Sequence, residues 1–191
     1  MRCVRKRVGW GFCGLRENVN HRVVSRAGTK EVGYVQWYYD PLPTNCVASW
    51  FCPEGESGES CGDSIRPRRR GQNNLAVFYE SCTFDCLFCQ NWSFRTSAQR
   101  PDVMSAAQLA DRADERTACI CFFGGDPASQ MLHALATARM ALERRPGAVR
   151  ICWETNGNMN PKLLGRAAEL SLRSGRNVHI GNLHLLSSRD S

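Results

Sequence analysis

Long apolar runs are missing from this 191-residue chain. The longest, such as Ala118–Phe123, fall well short of the roughly 18 residues that a bilayer-spanning helix needs. The N-terminus is basic, but Gly9, Gly11 and Gly14 interrupt its apolar stretch, so it lacks the core of a secretory signal. Lysine is also scarce. Only Lys6, Lys30 and Lys162 occur, and arginine carries the net charge of +7, a bias that GC-rich coding alone can produce. Paired C-x2-C motifs are absent from the first 72 residues, although Cys3, Cys13, Cys46, Cys52 and Cys61 lie there. A second metal site built from Cys46, Cys52 and Cys61 competes with ordinary thiols, which are the favoured reading. An odd cysteine total of 11, without an export signal, points to reduced thiols or metal ligands rather than a disulfide framework. The expected location is the cytoplasm.

What the chain does have is Cys82-Thr83-Phe84-Asp85-Cys86-Leu87-Phe88-Cys89, three cysteines spaced C-x3-C-x2-C. The strand-like run Asn74–Tyr79 leads into them. Three thiolates this close, at a strand exit, can converge on one soft metal centre. Iron–sulfur clusters normally take four cysteines, so three would leave one iron open to a further ligand. Zinc competes, but its structural sites want four ligands, and the fourth would come from elsewhere. A plainer alternative remains, because positions i, i+4 and i+7 also share one face of a helix that buries ordinary cysteines.

Taken in order, residues 1–72 read as an irregular, β-leaning segment and residues 73–191 as a separate α/β unit. Val32–Tyr39 is rich in β-formers, and Asp40-Pro41-Leu42-Pro43 is expected to end that strand. Glu54–Ser60 reads as a loop. From Leu75 onward, strand candidates alternate with helices. The strands are Leu75–Tyr79, Ala118–Phe123, Val149–Glu154 and Asn177–Ile180, short apolar runs of the kind expected in a parallel sheet covered on both faces. Ser105-Ala106-Ala107-Gln108 is a capping box. Asp126-Pro127 supplies an N-cap and N1 for a helix through Arg145, with Met131, Leu135, Ala138 and Leu142 as its stripe. Asn160-Pro161 starts another helix, which Gly175 should stop. With right-handed crossovers, the fold expected is α/β: a parallel sheet curling into a partial (βα) barrel of about four units, with ligands at the C-terminal ends of the strands.

Two further motifs share that placement. Gly124-Gly125-Asp126-Pro127 follows the second strand candidate, and Glu154-Thr155-Asn156-Gly157 ends the third. Gly124 and Gly125 leave the backbone bare for close approach by a polar ligand; equally, they make a turn and Asp126 caps a helix. Glu154, Thr155 and Asn156 offer a carboxylate, a hydroxyl and an amide suited to ribose hydroxyls or an amino-acid headgroup; equally, they form an Asn-Gly turn. Basic clusters at Arg2–Arg7 and Arg66–Arg70 could meet phosphates or an acidic partner. Without interleaved aromatics or a nucleic-acid module, nucleic acid is not the expected partner.

The string Phe78-Tyr79-Glu80-Ser81-Cys82 … Cys86-Leu87-Phe88-Cys89-Gln90-Asn91-Trp92, with an aromatic before the last cysteine, resembles the radical S-adenosylmethionine enzymes, in the branch related to pyruvate formate-lyase activating enzyme. Specific motifs carry the resemblance from about Asn73 to Gly175, and Cys13–Asn18 extends it more loosely. It implies a 4Fe-4S cluster held by Cys82, Cys86 and Cys89, with the fourth iron chelated by S-adenosylmethionine. It further implies that Gly124 and Gly125 contact the cofactor's amino group, that Asp126 stands where the family usually has Glu, that Glu154, Thr155 and Asn156 lie near the cofactor, and that Phe88 packs near its adenine. The implied activity is reductive cleavage of S-adenosylmethionine to a 5′-deoxyadenosyl radical that abstracts hydrogen from a substrate. Such a substrate can be a glycyl residue of a partner enzyme, and the implied electron donor is of the flavodoxin or ferredoxin type. The resemblance does not extend to the far wall of the family's barrel, so a truncated chain with an open sheet edge is expected. In that case a non-catalytic iron–sulfur or zinc module is the alternative function.

Overall fold

A computed structural model of the chain describes residues 9–11, 13–42, 71–89, 91–94, 102–174 and 180–181. Cys3, Cys46, Cys52, Cys61, the clusters Arg2–Arg7 and Arg66–Arg70, the expected loop Glu54–Ser60, Gln90, Gly175 and residues 177–179 lie outside the described residues.

A small antiparallel sheet comes first: β1 (Gly9–Trp10), β2 (Arg16–Val19) and β3 (Arg22–Ser25), in that spatial order. Val19 pairs with Arg22 across a two-residue turn whose residues, Asn20 and His21, both have positive φ. That is the requirement of a type I′ hairpin, whose twist matches the strands it joins.

The main sheet contains β4 (Gly33–Pro41), β5 (Asn73–Tyr79), β6 (Val103–Met104), β7 (Thr117–Phe123), β8 (Arg150–Glu154) and β9 (Ile180–Gly181), in the spatial order β6-β4-β5-β7-β8-β9. β5, β7, β8 and β9 are parallel neighbours. β4 is antiparallel to both β5 and β6. The sheet is therefore mixed, and β4, which covers Gly33–Tyr39 of the β-forming run Val32–Tyr39 in the β-leaning N-terminal stretch, pairs with β5 along the length of β5. Nor does Asp40-Pro41 end that strand, since Pro41 still pairs with Asn73. Proline is tolerated there because β6 meets β4 only at Gly33 and Tyr34. Beyond them, β4 is an edge among the described residues, and an edge tolerates a missing N–H.

Local signals set the helices. In α1 (Ala106–Ala110) the capping box forms as expected: Ser105 Oγ accepts from Gln108 N at 3.2 Å, and Gln108 Oε1 accepts from Ser105 N at 2.9 Å. Asp126 caps a 3-10 turn, Pro127–Gln130, which runs into α2 (Met131–Arg144). Asn160 caps α3 (Pro161–Arg173), its Oδ1 accepting from Lys162 N at 2.9 Å. Met131, Leu135, Ala138 and Leu142 are all buried, as the stripe predicts. Among the described residues, no helix is long and apolar enough to cross a membrane.

All three helices pack on one face of the sheet. Strand alternation puts Leu75, Val77, Tyr79, Ile120, Phe122, Ile151 and Trp153 there, in a single apolar cluster with Leu109, Ala134, Leu135 and Ala167. On the opposite face, β5 and β7 are still largely buried, but Arg150, Cys152 and Glu154 of β8 are half-exposed. β8 is thus less deeply buried on that face than on the helical one.

Two polar ties fix the helices to this core. His133 of α2 is fully buried between Tyr79 and Met104. Its Nε2 lies 3.0 Å from the Met104 carbonyl, which can only accept, so Nε2 carries the proton and Nδ1 accepts from the Tyr79 hydroxyl at 2.9 Å. Burial lowers the pKa of this imidazole, keeping it neutral. Trp153 stacks on Phe122 at 4.6 Å between ring centroids. Its Nε1 donates to the Ala167 carbonyl at 3.1 Å and to Ser171 Oγ at 2.9 Å, bolting α3 to β8. Replacing a buried aromatic of this kind by Ala costs about 3–5 kcal/mol. Trp153→Ala should lower the unfolding free energy by that amount in a denaturant titration, whereas Leu172→Ala, on the exposed side of α3, should change it by under about 0.5 kcal/mol.

Candidate functional site

Parallel β5, β7 and β8 end on one rim, and each of the three motifs begins where its strand stops. The rim is stitched by backbone bonds. Tyr79 N donates to the Gly124 carbonyl at 3.2 Å, and Asp126 N donates to the Ser81 carbonyl at 2.8 Å. Gly124 and Gly125 have φ of 55° and 54°, a region L side chains rarely adopt. A Cβ at Gly124 would overlap the Phe78 ring, and one at Gly125 would overlap the Tyr79 carbonyl oxygen. Close packing of β5 against this turn therefore demands both glycines.

Asp126 is 3 % exposed. Its Oδ1 accepts from Ala128 N at 2.6 Å and Thr155 Oγ1 at 2.9 Å, and its Oδ2 accepts from Asn156 N at 2.6 Å. These bonds favour the carboxylate, but burial outweighs them and raises its pKa. The side chain caps a helix and grips the third motif, so in this structure it acts as a brace.

The third motif divides at the strand end. Thr155 is buried against Asp126, and Asn156 reaches across to the cysteine loop, donating from Nδ2 to Thr83 Oγ1 at 2.9 Å and towards Cys82 Sγ at 3.7 Å. Glu154 instead lies on the half-open face of the sheet, where its Oε1 accepts from Cys121 Sγ at 3.5 Å. Of the site residues expected from sequence, Gly124, Gly125, Asp126, Thr155, Asn156 and Cys82 are brought together by direct bonds or close packing. Glu154 is turned towards a different set of neighbours.

The cysteine loop is not helical, which removes the reading of Cys82, Cys86 and Cys89 as one face of a helix. Cys82 is buried; Cys86 and Cys89 are half-buried. Leu87 is fully exposed and Phe88 is 75 % exposed, so Phe88 packs against nothing substantial among the described residues. Burial pushes the Cys82 thiol up to about 11, with further upward pushes from Asp126, Cys86 and Cys89 against the lowering effect of the Phe84 N–H bond. A thiol in that position ionises readily only beside positive charge, which a metal supplies. The donor set fits a soft metal centre in kind: three thiols within eight residues of one loop. Among the described residues, however, no three His, Cys, Asp or Glu side chains are gathered as ready-made metal ligands.

Sequence reasoning passed over several neighbours. Ser81, Ser129 and Gln130 form a buried polar cluster behind the rim, with Gln130 Nε2 donating to Ser81 Oγ at 3.1 Å and to the Tyr34 carbonyl at 3.0 Å. Glu80 is buried; Oε1 accepts from Gln36 Nε2 at 2.8 Å while Oε2 has no hydrogen-bond partner among the described residues, and burial raises its pKa. Cys121 and Cys152 are register partners on β7 and β8. The alternation of the strand candidates could have flagged Cys121, Cys152 and Glu154 as sharing one face; nothing local could have flagged Gln130.

Removing the Asp126 brace has two consequences. It costs a helix cap and strands the Asn156 N–H, together about 2–4 kcal/mol. Asp126→Ala should show that loss in thermal or denaturant unfolding, and protease cleavage after Thr155 or Asn156 should speed up relative to cleavage in α2.

Comparison with curated proteins gives no match, and neither does comparison with solved structures. A family model does match: that of the Radical SAM superfamily, over residues 76–181. This span runs from β5 to β9, holds all three rim motifs and covers more than half of the sequence, so the chain belongs to the radical S-adenosylmethionine superfamily.

Proposed function

We propose that this protein is a radical S-adenosylmethionine enzyme resembling the activating enzymes, in which Cys82, Cys86 and Cys89 hold a 4Fe-4S cluster beside bound S-adenosylmethionine. The observation that carries this reading is the reach of Asn156 from the end of β8 to Thr83 and Cys82, which unites the third motif with the first. When bound, the cluster supplies the one-electron reduction that breaks a carbon–sulfur bond of S-adenosylmethionine. The chain's own part is binding and orientation. The bare backbone of Gly124 and Gly125 admits the cofactor's amino group. Asp126 holds that turn and the Thr155-Asn156 backbone in fixed relation. The exposed Phe88 offers an apolar plate for adenine, whereas Glu154 stands apart from the residues that Asp126 and Asn156 gather. The reading extends to a flavodoxin- or ferredoxin-type electron donor, to a glycyl residue of a partner enzyme as substrate, and to action in the cytoplasm, where the cysteines stay reduced.

The same three thiols suit a second reading, a non-catalytic iron–sulfur or zinc module, because thiolates bind either metal. Anaerobic reconstitution separates the two. The enzyme should take up about four irons per chain, lose most of them when Cys86 or Cys89 is changed to Ser, and release 5′-deoxyadenosine when reduced with S-adenosylmethionine present. Iron or zinc uptake without any 5′-deoxyadenosine would establish the module instead.

A further inference from the structure

With a cluster held as read above, we propose that the Asn156 side-chain amide sets its reduction potential by donating a hydrogen bond to the Cys82 sulfur, with Thr83 competing for the same amide.

The amide's orientation follows from its bonds. Asn156 Oδ1 accepts from Asn158 N at 2.9 Å, so the oxygen end of the amide points back into its own loop. Nδ2 therefore faces the cysteine loop, 2.9 Å from Thr83 Oγ1 and 3.7 Å from Cys82 Sγ. Asp126 fixes the residue from behind through the Asn156 N–H, at 2.6 Å. A second N–H, from Phe84, points at the same sulfur at 3.3 Å. Cys82 is also the most buried of the three cysteines. Two N–H dipoles thus present their positive ends to one sulfur in a site sheltered from water.

Hydrogen bonds to the sulfurs and solvent exposure are among the main determinants of iron–sulfur potentials. A donor aimed at a ligand sulfur stabilises the extra negative charge of the reduced cluster more than the oxidised form, and so raises the potential. Thr83 moderates this: its hydroxyl takes the shorter of the two contacts and holds the amide partly away from Cys82. Asn156 is accordingly a positioning residue for charge at Cys82, tied by Asp126 to the same turn that carries Gly124 and Gly125.

The test is an EPR-monitored redox titration of reconstituted protein, with iron content measured for each variant and no turnover required. Asn156→Ala should lower the midpoint potential, and Asn156→Asp, which swaps the donor for a negative charge, should lower it further. Thr83→Val keeps the shape, removes the competing acceptor and should raise the potential. In the double variant, Thr83→Val should lose that effect and give the Asn156→Ala value. Midpoint potentials that match wild type in iron-replete Asn156→Ala and Thr83→Val would overturn the assignment while leaving the proposed cluster intact. A wild-type chain that takes up no cluster would instead remove the cluster reading and the assignment with it.

Discussion

The rim depends on one buried carboxylate. Asp126 sits between the β7 turn and the β8 loop, and its two oxygens accept from three donors on two different segments. Ala128 belongs to the 3-10 turn that Asp126 caps, but Thr155 and Asn156 lie beyond the end of β8, outside regular structure. The loop after β8 owes its position to bonds with a residue nearly thirty positions earlier. Desolvation of a carboxylate is costly, and satisfied hydrogen bonds are what make such burial tolerable. The raised pKa shows that burial still outweighs the bonds.

From that brace the rest of the site follows in order. Asn156, held by its backbone, extends its amide to Thr83 and Cys82. Ser81, between β5 and the cysteine loop, is gripped from below by Ser129 and Gln130 at the start of α2. The helical face of the sheet supplies the rigid backing. Tyr79, whose carbonyl fills the space beside Gly125, is fixed through its hydroxyl to His133. Core packing and rim geometry therefore share residues, and a disturbance at Tyr79 or Gln130 would be felt in both.

What was legible in the sequence was local. The Ser105 capping box, the Asn160-Pro161 helix start and the α2 stripe each depend on residues within a turn or two of one another and formed, while Asp126-Pro127 opens a 3-10 turn and the α-helix itself begins at Met131. Placement of the motifs at strand ends was legible as well, since parallel strands must share a rim. Less legible were features decided by distant partners. Pro41 continues β4 because of where β6 stops pairing, which no feature of residues 32–43 reveals. Glu154 and Asn156 are two residues apart yet serve different neighbours, because the chain leaves the pleat between them. The bond from Asn156 to Thr83 spans more than seventy residues and became visible only with the fold.

The diglycine turn carries a consequence for how this chain's history is read. Its backbone conformation and the press of Phe78 and Tyr79 exclude any side chain at Gly124 or Gly125, whether or not a small molecule ever docks there. Selection for folding alone would preserve the pair in a descendant that had abandoned its chemistry. Cys86 and Cys89 are placed differently: they are only half-buried and flank an exposed Leu87. The cysteine spacing, unlike the diglycine turn, is therefore not explained by the demands of the fold alone.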